Sequence, residues 1–393
     1  MIRRTFPLLS ALVLTGTIVT VAPRTARAAG ATIVVGTKSA SCNAQFATIQ
    51  AGVNAATPGG TVRVCPGTYP EQVTIAKALT LRGENAVVIE PSSVTANATG
   101  TASGQPLAAI VLVQNTTDVD IDNVTVDGTN NGISGCSPDL VGILYQNASG
   151  EVNHAAVRNV KLSASLNGCQ SGDAILVQSG GGQMSVVNVA NSSVHDYQKN
   201  GITANESGTQ VEIDHNVVTG VGATTGAAQN GIQIGFGAAG SITRNTVANN
   251  VWSPCTSLSS CANTGTGILV FQSDGVTVQN NKETVSQVGI AINANHADVT
   301  NNQVSDSMVA DGIDLIGSDN DAQNNAITHS DDAAVFISGN GNTVQANTIN
   351  EAVFGVLEAS GSTGNVIANN TSFNTAVTVQ DPPKTASKAS PYR

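Results

Sequence analysis

The sequence predicts an all-β solenoid, a parallel β-helix of about a dozen coils, and three observations carry that expectation. The first is a repeat. A Gly or Ala followed by a small or aliphatic residue returns at Gly267-Ile268, Gly289-Ile290, Gly312-Ile313, Ala333-Ala334 and Gly355-Val356, in steps of 22, 23, 21 and 22 residues. A period of about 20–50 residues marks a repeat architecture. The second is the content of each period: short runs of alternating apolar character separated by Gly, Asn, Asp and Ser, which read as strands and turns. An Asn-containing turn ends one such run each time, at Asn280, Asn301, Asn324-Asn325, Asn347 and Asn369. The third is composition. Apolar residues make up 40% of the 393, charged residues 11% and aromatics 3%, with 40 Gly. That suits a narrow cylinder filled by Val, Ile and Ala, and an apolar fraction this large at a fixed period excludes a disordered chain. A unit of some 22 residues cannot bury its own apolar face, so it stacks on its neighbours.

From the start of the chain, Met1–Ala28 reads as a secretory signal: Arg3 and Arg4, an apolar stretch from Leu8 to Ala22, then Ala26-Arg27-Ala28 as a cleavage site. The expectation is a secreted, extracellular protein without a membrane span. Removing that segment takes four arginines and no acids, leaving 12 basic against 27 acidic residues and a net charge of −15. This excludes nucleic acid and anionic membranes as favoured partners. Six cysteines in an exported chain point to disulfides. The repeat register favours Cys42 with Cys65, Cys136 with Cys169, and Cys255 with Cys261, and no spacing suggests zinc.

Phe46, Ile49 and Val53 lie at helical spacing and predict a capping helix over about residues 45–57, the lid that the first coil of a solenoid needs. A single β-helix domain is expected over residues 29–380. The ending DPPKTASKASPYR, residues 381–393, has no apolar period and reads as a disordered tail.

The run FATIQAGVNAATPGGTVRVCPGTYPEQVTIAKALTLRG resembles the opening of pectin-lyase-like right-handed parallel β-helix proteins, among them pectin methylesterases and polysaccharide lyases. The segments VHDYQKNGITA and AAQNGIQIGFGAAGSITRNTV resemble secreted actinobacterial β-helix repeat proteins. The resemblance covers about residues 31–379. It implies a right-handed coil and a carbohydrate-related role, but it is specific for fold and weak for activity.

Between Asn115 and Asn250 the coils continue with longer gaps. From Asn123, Asn159, Asn191, Asn216 and Asn245 to the following Gly or Ala is 19, 15, 10, 15 and 22 residues. Every large insertion therefore leaves from one corner, and insertions at one corner line up as a wall. The uninserted coil, with insertions on either side, is expected to form the floor of a cleft between residues 161–173 and 220–230.

That floor would carry His195-Asp196-Tyr197-Gln198-Lys199-Asn200. Elimination on a uronate polymer needs a base, an acid and a counter-charge for the carboxylate. Lys199 or His195 suits the base and Tyr197 the acid, with Ca²⁺ or no cofactor at all. The bland alternative is a set of polar turn residues with Lys199 solvated. Asp173, Asn200, Asn230, Arg244 and Trp252 are the expected substrate contacts, Trp252 by stacking on a sugar or else by packing its own loop. Asp311 and Asp332 precede the repeat element and would be neighbours on successive coils, a possible acid pair for a glycosidase or simply turn residues. HSDDAAVFISG resembles the Asp-Asp motif of polygalacturonases, but their Gly-His-Gly and Arg-Ile-Lys are absent.

The leading expectation is thus a monomeric polysaccharide lyase-like enzyme acting on a uronate-containing glycan. The alternatives are a non-catalytic binder of a polysaccharide or cell-surface glycan, and a glycoside hydrolase using paired Asp residues.

Overall fold

The computed structural model describes residues 30–255 and 260–380; the expected signal segment and tail lie outside them. Each coil lays down strands in three columns. Column I is a sheet of 13 parallel strands running from Thr32–Val35 to Val366–Ala368, and columns II and III join around a corner into a second sheet of 22 strands. One coil reads Thr277–Gln279, Lys282–Ser286, Val288–Asn293, and the next Asp298–Thr300, Gln303–Ser307, Ile313–Leu315. They pair in parallel, Thr277 with Asp298, Lys282 with Gln303 and Ile290 with Ile313. Thirteen such rungs at about 4.8 Å span about 58 Å. The fold is a right-handed parallel β-helix.

The core explains the repeat. Column I contributes Val278 and Val299, column II Val304 and Ile327, column III Ile290, Ile292, Ile313 and Leu315, all fully or almost fully buried. The Gly of each Gly-Ile pair lies where column III begins, against the column II side chain. A Cβ on Gly231 or Gly289 would come within 2.4 Å of Cγ1 of Val247 or Val304. Ile313 pairs with Val335, so the equivalent pair in the following coil is Ala334-Val335, one residue beyond the expected Ala333-Ala334.

The Asn turn is two positions with different duties. Asn280, Asn301, Asn324, Ala346 and Asn369 turn the chain with left-handed φ of 54–57°. The next residue in each coil is an asparagine, buried at Asn281, Asn302, Asn325 and Asn347 and half-buried at Asn370. Asn281 donates its backbone N–H (2.9 Å) and its Nδ2 (3.0 Å) to Oδ1 of Asn302, which repeats the arrangement on Asn325, and so on to Asn370. Each amide also donates to a backbone carbonyl, as Asn302 does to Val278 at 2.9 Å. The ladder satisfies a buried corner that water cannot reach.

The helix is Ile49–Ala55, shorter than the expected 45–57; Phe46 instead makes an isolated bridge with Val35. Thr48 caps it by accepting from Ala51 N, and the Glu71 carboxylate accepts from Ile49 N (2.7 Å) and Gln50 N (2.9 Å). Ile49 and Val53 then cover the first coil. The three expected disulfides are all formed, which fits an oxidising compartment. Among the described residues no helix is long and apolar enough to cross a membrane.

Candidate active site

The insertions do leave from one corner, between columns II and III, and buried glutamines hold their bases. Gln198 accepts from Leu162 N and donates to the carbonyls of Leu166 and Cys169, each at 2.9 Å. Gln229 accepts from Val221 N, and Gln287 accepts from both Trp252 N and Gly265 N. The expected gap between the insertions at 161–173 and 220–230 is closed. Ala227 N donates to Asn167 O at 2.7 Å, and Trp252 Nε1 donates to Gly226 O at 3.0 Å. The insertions therefore make one continuous wall, and the floor beside it is the outward face of column III.

Along that face Val141, Asp173, Asn200, Asn230, Thr266 and Val288 stand in register. At one end a flap folds back, with Ala98–Thr99 antiparallel to Pro106–Leu107, and roofs Leu107, Leu112, Val141, Leu144 and Leu176. At the other end Leu269, Val288, Ala291 and Ala310 are buried together. Between the two lies a polar strip. Asn230 Nδ2 donates to Asn200 Oδ1 and Gln233 Oε1, both at 3.1 Å, and Gln233 Nε2 donates to Asn205 Oδ1 at 3.0 Å.

Two carboxyls sit where the apolar roof meets this strip. Burial pushes Asp139 up to about 6. Asp173 is also at about 6: burial raises it most, Lys199 and a hydrogen bond from Asn200 oppose that, and the Asp139 charge adds to the rise. The physical cause is local, since Val141, the register partner of Asp173, is fully buried under the flap. Both acids nevertheless remain partly open to water. Burial lowers the Lys199 amine, while attraction to Asp173 resists the change, and Nζ donates to Ala228 O at 3.0 Å. Lys199 is thus enclosed at the foot of the wall, not on an open floor.

The structure redistributes the other expected site residues. Tyr197 is fully buried, its hydroxyl donating to Asn250 Oδ1 at 2.5 Å, with burial raising its pKa; it is a core residue, which corrects its placement on the floor. His195 stands on column II in register with Arg158 and bonds Asp196 at 2.8 Å, away from the column III face. Asn200 and Asn230 belong to the polar strip. Arg244 occupies the left-handed corner after column I (φ 55°) and pairs with Asp214 at 2.8 Å, remote from the strip. The indole N–H of Trp252 is spent on joining two insertions. Asp311 and Asp332 lie on successive coils but are not register partners: Asp311 is buried opposite Ala333, whose N donates to it at 2.8 Å, and Asp332 is one residue out of register. Asp139 was missed. Its signal was its position, the first strand residue after the Cys136 insertion and two before Val141, where strand alternation puts it on the outward face.

Elsewhere, a recess of about 740 Å³ opens on column I beside Arg63, Arg82 and Asn123. Both arginines are paired, with Glu84 and Asp122 respectively. Among the described residues no group of three His, Cys, Asp or Glu could hold a metal ion.

Residues 254–388 match the family described as "Periplasmic copper-binding protein (NosD)". Solved structures similar to the chain include the GH136 lacto-N-biosidase from Eubacterium ramulus, with TM-score 0.58 and 10% identity, covering 88% of this chain and 67% of that one. The periplasmic alginate epimerase AlgG gives TM-score 0.55 and 13% identity over 80% of this chain and 84% of its own. The A-module of Azotobacter vinelandii mannuronan C-5 epimerase AlgE4 gives 0.53 and 14% over 87% and 95%. At these identities the likeness is one of fold. No curated protein matches.

Proposed function

We propose that the protein binds a glycan along the outward face of column III and cleaves a glycosidic bond by acid–base chemistry at Asp139 and Asp173. The observation that carries this reading is the placement of two partly open carboxyls at the edge of a polar strip, Asp173 in register with Val141 and Asp139 two residues before Val141, both raised to about 6 by burial. Near that pH one is protonated and can donate to a leaving oxygen, while the other is ionised and can act as base or nucleophile. Asn200, Asn230 and Gln233, only 6–7% exposed, form a hydrogen-bonded amide row on this face whose remaining donors and acceptors would meet sugar hydroxyls, and Lys199 keeps Asp173 from rising further. The acidic surface favours a neutral glycan. Two similar structures, a lacto-N-biosidase and an alginate epimerase by name, support a glycan as the substrate class.

Elimination on a uronate chain is the second reading, favoured by the depressed Lys199 amine as base. It has lost Tyr197 as its acid. The test is a panel of polysaccharides incubated with and without chelator. Acid–base hydrolysis yields new reducing ends and no ultraviolet-absorbing unsaturated sugar. Asp139→Asn and Asp173→Asn should each slow it by at least about 100-fold. An unsaturated product would replace this reading by elimination, and binding without cleavage would replace it by a non-catalytic glycan-binding role.

A further inference from the structure

We propose that Phe236 and Phe271 form a distal sugar-stacking subsite on column III that takes the apolar face of a pyranose ring in a neutral oligosaccharide. The inference rests on the reading of column III as the glycan-binding face and extends it. Aromatic residues are only 3% of the chain, yet Phe236 is left 50% exposed. Its backbone is held at φ 56°, the left-handed corner conformation that Glu206 and Gln272 take on the neighbouring coils, which is unfavourable for a bulky residue. Phe271 meets it edge to face, with ring centroids 5.2 Å apart and planes at 63°. Phe236 N donates to Phe271 O at 2.8 Å, which fixes the pair's backbone across successive coils.

The pair also ends the polar strip. Gly235 stands in register between Asn205 and Phe271, and a Cβ there would lie 3.1 Å from Asn205 Oδ1, so the glycine leaves the approach to the amides clear. An aromatic face beside the Gln233–Asn205 amide pair suits a pyranose: C–H groups on the ring, hydroxyls on the amides. The Phe271 rung is three rungs from that of Asp173, about 14 Å along the axis. That is the reach of a short oligosaccharide, not of a single ring, and it predicts a preference for longer chains.

The experiment measures binding of cellohexaose, mannohexaose and xylohexaose to the full chain carrying Asp139→Asn, with and without Phe236→Gly or Phe236→Trp. For the hexaose that binds, Phe236→Gly should raise Kd about tenfold, the loss of one aromatic contact, and Phe236→Trp should restore it. Because glycine suits a left-handed φ, the Gly variant should melt at the same temperature or higher. An unchanged Kd with hexaose still bound would overturn the subsite and leave the proposed function standing. A lower melting temperature in the Gly variant would assign the pair to folding, and no binding of any hexaose would remove both readings.

Discussion

Glu283 offers the sharpest test of how this core is built. It occupies column II between Val247 and Val304, in a line of inward-facing aliphatic residues, and it is fully buried. A Cβ on Gly267 would lie 2.7 Å from its Cδ, so the carboxyl is packed against the start of column III. Burial raises its pKa from 4.5 to about 8; the nearby Ser286 hydroxyl opposes the rise, and the charge of Asp306 on the next coil adds to it. The folded state therefore holds the proton more tightly than the unfolded chain. The sign follows: no penalty below about pH 4.5, a progressive loss of stability as pH rises toward 8, and a constant loss above. At about 1.4 kcal/mol per pH unit the full loss is roughly 5 kcal/mol, an order-of-magnitude value. With an unfolding entropy of roughly 0.7 kcal/mol/K for a chain of this size, the melting temperature should fall by roughly 7 °C between pH 4.5 and 8. Glu283→Val restores the aliphatic line and should abolish that fall. Glu283→Gln should abolish it too while melting below the Val variant, because its amide remains buried. Melting curves of the three proteins from pH 4.5 to 9 decide the matter. Parallel profiles for wild type and Glu283→Val would show that the carboxyl is ionised and solvated in the fold, and the packing argument would fall.

Three further expectations follow from the same structure. Lys199→Met should shift the acid limb of the pH–rate profile upward, because the amine lowers the pKa of Asp173; Lys199→Ala should also destabilise by about 1–2 kcal/mol, since it removes the hydrogen bond of the half-buried amine to Ala228 O. Asn302→Ala removes a ladder rung and leaves Asn281 N–H and Val278 O without their partner, costing about 3 kcal/mol by denaturant titration, whereas Asn301→Ala, an exposed left-handed turn residue, should cost about 1 kcal/mol. Truncation before Ala352 strips the strands that pair with the Ala326–Ile337 rung and should produce aggregates by light scattering; a soluble monomer would contradict the need for an end coil.

The sequence by itself determined the coil. A repeat near 22 residues, strand-length alternation and Asn turns are local features, and stacking is the one way such units bury their apolar faces. The disulfide partners followed from coil register, and the helix from the spacing of Ile49 and Val53, although a bridge to Val35 keeps Phe46 out of it. Only the tertiary structure decided which polar residues meet. Side chains alternate along a strand and turn at each corner, so the corner between columns II and III separates buried Tyr197 from Lys199 at the wall, and one residue of offset takes Asp332 out of register with Asp311. The acid character of Asp139 and Asp173 depends on a flap from residues 98–107 that roofs Val141 beside them, and desolvation of that kind comes from chain segments distant in sequence. The gap once expected around Lys199 closed for the same reason: whether two insertions part or touch is settled by a hydrogen bond such as Ala227 N to Asn167 O, which no repeat pattern encodes.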